Sequence, residues 1–125
     1  PGSRGRILFV DDEEFLVEWG QALLERLGYE VTSLNDSTEA LELFSAEPSR
    51  FDLVITDQTM PRATGLQLAS ELLRLRPGIP IILCTGHSDV VTQDGLKGSG
   101  IRELLLKPLT RKVLAEAIHK ALNND

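Results

Sequence analysis

Short apolar runs bounded by turn residues recur at Arg6 to Val10, Leu53 to Thr56, Ile79 to Thr85 and Leu104 to Leu106. Each is too short for an independent helix and reads as a buried strand. Tyr29 to Leu34, with Val31, Thr32 and Leu34, is a weaker run of the same kind and is assigned as the second strand. Between the runs the apolar spacing changes to that of helices. Phe15, Leu16, Trp19, Leu23, Leu24 and Leu27 form a first stripe, ended at Gly28 where a C-terminal cap belongs. A second helix opens near Asp36 or Ser37, with Glu39 placed for a capping box from Asp36, and turns Leu41 and Phe44 inward. The third carries Leu66, Leu68, Ala69, Leu72 and Leu73 and stops before Pro77. Asp89 to Lys97 is the poorest helical segment, weakened by the neighbouring Gly95, Gly98 and Gly100, and is expected to be mobile. Thr110 caps a fifth helix whose inner face is Val113, Leu114, Ala117, Ile118 and Ala121.

Strand and helix therefore alternate five times. Apolar strands alternating with amphipathic helices call for a parallel sheet covered on both faces, an α/β doubly wound architecture. In such sheets ligands bind outside the carboxyl ends of the strands, where strand order reverses.

Composition narrows the function. At 125 residues the chain is expected to hold one domain over residues 6–125, with residues 1–5 a tag remnant or a disordered end. No apolar run approaches the roughly 20 residues that cross a bilayer, so no membrane insertion is expected. The net charge of -6, with its basic residues scattered, argues against nucleic-acid binding. The single Cys84 sits in an apolar run, as a small buried hydrophobe would, and a cytoplasmic protein fits best.

The chemistry lies at the strand ends: Asp11 and Asp12 follow the first strand, Asp57 the third, Thr85 the fourth and Lys107 the fifth. Three carboxylates in one crevice repel one another unless a cation, a lysine or raised pKa values hold them together. Lys107 supplies part of that charge. Hard oxygen ligands suit magnesium, and one Cys with two scattered His residues make zinc a poor match. Each residue also has a plainer reading on its own: the acid pair as a helix cap, Asp57 as a turn, Lys107 as a solvated charge, Thr85 as a strand end. Their joint placement favours chemistry. Met60 and Pro61 read as turn and packing residues, and Gly65 as permitting a positive backbone dihedral before the third helix.

The segments FVDDEE, DLVITDQTMP with Gly65, ILCTG and ELLLKP, in this order, closely resemble the receiver domains of response regulators in two-component signalling. The resemblance covers essentially the whole chain. It implies a flavodoxin-like (βα)5 sheet with strand order 2-1-3-4-5. It implies that Asp57 accepts a phosphoryl group from a phosphohistidine on a histidine kinase or phosphotransfer domain. Mg2+ would be the cofactor, held by Asp12 directly, Asp11 through water, Asp57, and the backbone carbonyl of Thr59. Thr85 and Lys107 would contact the phosphoryl group, and a cis peptide would precede Pro108. The face of the fourth and fifth helices would contact an output or kinase domain. The phrasing is most similar to receivers of hybrid sensor histidine kinases, so a full-length parent could itself be a kinase.

The chain departs from the family pattern where Leu104 stands in place of the usual Tyr or Phe three residues before Lys107, which puts an aromatic readout in doubt. Gly86 replaces the usual Ala, and Thr59 and His87 at the crevice mouth are candidates for setting how fast an acyl phosphate hydrolyses. The alternative from another class is a degenerate receiver acting as a constitutive protein-interaction module. A phosphohydrolase using Asp57 lacks the second acid two positions on, where Thr59 stands. Neither a GxxxxGK[ST] loop nor a GxGxxG turn follows the first strand.

Overall fold

A computed structural model describes residues 5–86 and 94–123. The strands are β1 (Arg6–Val10), β2 (Glu30–Leu34), β3 (Leu53–Asp57), β4 (Ile81–Thr85) and β5 (Glu103–Leu106). The helices among the described residues are α1 (Glu14–Arg26), α2 (Ser37–Ala46), α3 (Gly65–Leu75) and α4 (Arg111–Asn123), the last being the helix after Thr110. Of the expected helical segment Asp89 to Lys97, residues 89–93 lie outside the described residues, and Asp94–Leu96 form one 3-10 turn.

All strand pairs are parallel, in the order β2-β1-β3-β4-β5. The order reverses at β1, whose neighbours are β2 and β3, so the crevice expected of a doubly wound sheet lies over the carboxyl ends of β1 and β3.

Period-two alternation divides the core. Leu8, Val10, Val54 and Ile81 face Ala40, Phe44, Leu68 and Leu72 of α2 and α3. Ile7, Phe9, Leu53, Ile55, Ile82 and Cys84 face the layer containing Leu24 of α1 and Leu114, Ala117, Ile118 and Ala121 of α4. Burial pushes the Cys84 thiol up to about 12, so it packs as an apolar group, as its setting in the sequence indicates.

Three residues expected in the interior are outside. Leu106, read as part of a buried strand, is 55% exposed at the end of β5, an edge strand with no fully buried residue. Phe15 is 75% exposed. Nine residues separate it from the fully buried Leu24, and at 3.6 residues per turn they lie about 180° apart. Val113 is 38% exposed because it sits about 90° from the centre of the face formed by Leu114, Ala117, Ile118 and Ala121.

Helix ends follow local chemistry. Leu27 is the C-cap of α1, Gly28 takes φ 100°, and the N–H groups of Gly28 and Tyr29 return to the carbonyls of Glu25 and Leu24, a Schellman closure. Asp36 caps α2, but without the expected box from Glu39: its carboxylate accepts from Thr38 N–H at 2.7 Å and pairs with Arg62 at 2.9 Å. The capping box is at α3, where Thr64 and Gln67 satisfy each other's backbone N–H groups. Thr64→Ala should cost about 1 kcal/mol, read as a lower urea midpoint with an unaltered slope. Thr110 Oγ1 accepts from Val113 N–H at 3.2 Å and caps α4 as expected.

Candidate functional site

Parallel pairing delivers the strand-end polar groups to one edge. Asp11 continues the β1–β2 ladder by donating its N–H to Leu34, and its Oδ1 accepts from Glu13 N–H at 2.9 Å. It does not serve as the N-cap of α1: that position is Glu13, whose side chain makes no capping bond. Asp57 closes β3 with its side chain 5% exposed. Thr85, also buried, closes β4, and its carbonyl accepts from Lys107 N–H at 2.7 Å, carrying the β4–β5 ladder one residue past β5.

That main-chain bond sets Lys107 at the edge with its side chain turned inward. Nζ lies 2.9 Å from Asp57 Oδ1, 3.1 Å from Asp11 Oδ2 and 3.8 Å from Glu13 Oε1. The Lys107–Pro108 peptide is cis, as expected. One carboxylate oxygen each from Asp11, Asp12 and Asp57 falls within 4.8 Å of the others, Asp12 being exposed and the other two buried. Oxygen donors so close together, with one open to solvent, fit a hard divalent cation that keeps some of its water.

Electrostatics reflect burial against pairing. Burial raises the Asp57 pKa to about 6, against the opposing hydrogen bond from Lys107, and Asp11 adds like-charge repulsion. Burial also raises Asp11, while the Glu13 N–H and Lys107 pull it down. For Lys107 burial works against the ammonium, but its hydrogen bond to Asp57 and the charges of Asp11 and Asp57 prevail and hold its pKa above the ordinary value. The ammonium stays charged between two carboxyls, one of which is easily protonated.

Asp57 is seated by an unusually close neighbour. A Cβ on Gly65, the first residue of α3, would lie 2.3 Å from the Asp57 carbonyl oxygen and 2.6 Å from Leu83 Cδ1. Gly65 is therefore required by close approach, not by the positive dihedral expected from the sequence; the positive φ in this turn is at Arg62, 72°. Thr59 is exposed beside the crevice, and Met60 turns into the core. His87 lies outside the described residues. A cleft of about 570 Å³ opens beside Lys107, walled by Phe15, Leu16, Trp19, Gly86, Pro108 and Leu109.

The model of the response regulator receiver domain matches residues 7–119. The chain belongs to this family. It is 40% identical over 105 residues to the two-component response regulator ARR10 of Arabidopsis thaliana, covering 83% of this chain and 19% of that protein. It is 37% identical over 117 residues to the CAI-1 autoinducer sensor kinase/phosphatase CqsS of Vibrio cholerae, covering 90% of this chain and 17% of that one. The chain thus spans about a fifth of the curated relatives it resembles here. Among solved structures, a receiver domain protein from Clostridium thermocellum superposes with TM-score 0.88 at 36% identity, covering 94% of both chains. This is a receiver domain of two-component signalling, and its flavodoxin-like strand order is the expected one. Among the described residues no helix is long and apolar enough to cross a membrane.

The five strand-end residues singled out from the sequence are brought to one edge. Two neighbours were not given roles. Glu13 was visible as the third acid of FVDDEE, but its reach to Lys107 depends on where α1 begins. Gln58 carried no spacing signal; its side chain bonds to α3.

Proposed function

We propose that Asp57 is the phosphoryl-accepting residue of this receiver, supplied by a phosphohistidine on a histidine kinase or phosphotransfer domain in the cytoplasm. The observation supporting it most directly is the Lys107 ammonium held between Asp57 and Asp11, at 2.9 and 3.1 Å. Asp11, Asp12, Asp57 and the Thr59 carbonyl are the residues that would hold Mg2+. Mg2+ supplies positive charge to the phosphoryl oxygens as the transfer proceeds.

The chain's own residues do the rest. An Asp57 carboxylate oxygen attacks phosphorus, the phosphorus–nitrogen bond to the imidazole breaks, and the electron pair leaves with the donor histidine. Phosphoryl transfer has a loose transition state with charge on the equatorial oxygens, so positioning and neutralisation dominate. Lys107, already aimed at Asp57, shifts its ammonium to a phosphoryl oxygen. Thr85 at the adjacent strand end donates its hydroxyl to another, and the loop after it follows. That movement biases the surface read by an output or kinase domain, in which the fifth helix of the family takes part. With Leu104 partly buried where the family carries an aromatic ring, the movement is read without a ring rotation.

Incubating the protein with acetyl phosphate and Mg2+ should give one acid-stable, base-labile phosphoryl group by intact mass. No labelling of the wild type would instead favour a constitutive interaction module.

A further inference from the structure

We propose that Gln58 is a positioning residue for the cation site, tying the main chain that carries Thr59 to the N-terminus of α3. This rests on the reading of the Thr59 carbonyl as a cation ligand. Gln58 makes three fixed bonds: its N–H donates to Cys84 O at 2.9 Å, its carbonyl accepts from Gly65 N–H at 2.9 Å, and its side-chain Oε1 accepts from Leu66 N–H at 2.8 Å. The first two are main-chain bonds that other residues could make. The third depends on a side-chain acceptor of this length.

The bond to Leu66 does two things. It satisfies one of the backbone N–H groups that every helix leaves without an internal partner in its first turn. It also fixes Gln58 as a rigid post directly before Thr59, while Met60, 7% exposed, anchors the other side in the core. Thr59 is thereby strung between two held residues. Arg62, at φ 72° and paired with Asp36 at 2.9 Å, pins the far side of the same turn to α2. Such a turn presents its carbonyl in one direction, which matters most for Mg2+. Magnesium requires near-ideal octahedral geometry, whereas calcium accepts irregular shells. Gln58 therefore contributes to the preference for Mg2+ over Ca2+ as well as to affinity.

The test compares wild type, Gln58→Met, Gln58→Asn and Gln58→Glu with the Thr64→Ala cap variant. Melting temperature is followed across separate Mg2+ and Ca2+ titrations, since stabilisation by a ligand of the native state reports its Kd. Gln58→Met keeps the side-chain length without the acceptor, and Gln58→Asn keeps the amide but falls short of Leu66. Both should weaken Mg2+ binding about tenfold, the usual loss for an outer-shell partner, and Ca2+ binding by clearly less. Gln58→Glu restores the acceptor and should restore the Mg2+ to Ca2+ ratio, because its added charge acts on both divalent ions. Thr64→Ala should lower the metal-free melting temperature and leave that ratio unchanged. If the ratio is unaltered in Gln58→Met and Gln58→Asn, or falls equally in Thr64→Ala, Gln58 is a helix cap only and the proposal fails. A wild type whose melting point ignores both ions would overturn the cation-site reading itself, a separate result.

Discussion

Asp57→Asn is expected to abolish phosphoryl incorporation from acetyl phosphate while making the metal-free domain more stable at neutral pH. The loss follows from replacing the carboxylate proposed as the nucleophile by an amide of the same shape. The gain follows from burial. Asp57 titrates near 6 in the folded chain against 3.8 for the free side chain, so the native state holds this proton more firmly than the unfolded state does. The stability contributed by this group is therefore fully present below 3.8 and is lost as pH rises through about 6. At pH 7.5 the charged carboxylate costs on the order of 2–3 kcal/mol, which the amide avoids while still accepting from Lys107. Melting curves in EDTA at pH 4 and pH 7.5 should show a wild-type deficit relative to the variant that is present only at the higher pH. A deficit of equal size at both would mean that the buried charge is not its source. Labelling that survives the substitution would place the nucleophile on another residue.

The second large effect is at Gly65. Adding one methyl group there in Gly65→Ala places carbon 2.3 Å from the Asp57 carbonyl oxygen, a contact that side-chain rotation cannot relieve because the obstructing atom is backbone. Leu83, whose Cδ1 would be 2.6 Å away, can rotate; the end of β3 can move only by carrying the Asp57 side chain with it. The expected loss is about 3 kcal/mol, read in urea denaturation, together with slowed phosphoryl incorporation by the molecules that still fold. Gly78→Ala is the control. Gly78 has φ 95° with nothing within 4 Å of an added Cβ, so that change costs only the left-handed backbone, about 1 kcal/mol. Equal losses at the two positions would show that close approach to Asp57 is not what selects glycine at residue 65.

The contrast between these glycines shows what could be read without coordinates. The central strands were legible because parallel strands buried on both faces are short and almost wholly apolar: β1 was placed without error and β3 to within one residue at an end. β5 was also placed to within one residue, but it is an edge strand with no fully buried residue and not the buried strand expected. β4 begins at Ile81, although the apolar run starts at Ile79, because Pro80 between them has no N–H for the ladder. The edge carrying Asp11, Asp57, Thr85 and Lys107 was legible for a related reason, since parallel strands put all their carboxyl ends on one side. Phe15 and Val113 were misplaced because both are apolar and adjoin a stripe in sequence, although 3.6 residues per turn already sets them about 180° and about 90° from the residues that are buried. Gly65 was noticed but explained by dihedral freedom, because a steric neighbour distant in sequence leaves no local trace. The same limit concealed Gln58, whose partner lies on the next helix, and the role of Arg62 in claiming the Asp36 carboxylate.

Cys84 pairs in register with Asp57 on the adjoining strand, is the chain's sole cysteine, and is 2% exposed. An alkylating reagent can reach that sulfur only when the helical layer of α1 and α4 lifts from its face of the sheet, and a protonated thiol reacts slowly even then. The rate of its capture is thus a clock for rare openings of that helical layer, wound by the fold and readable without introducing a second cysteine.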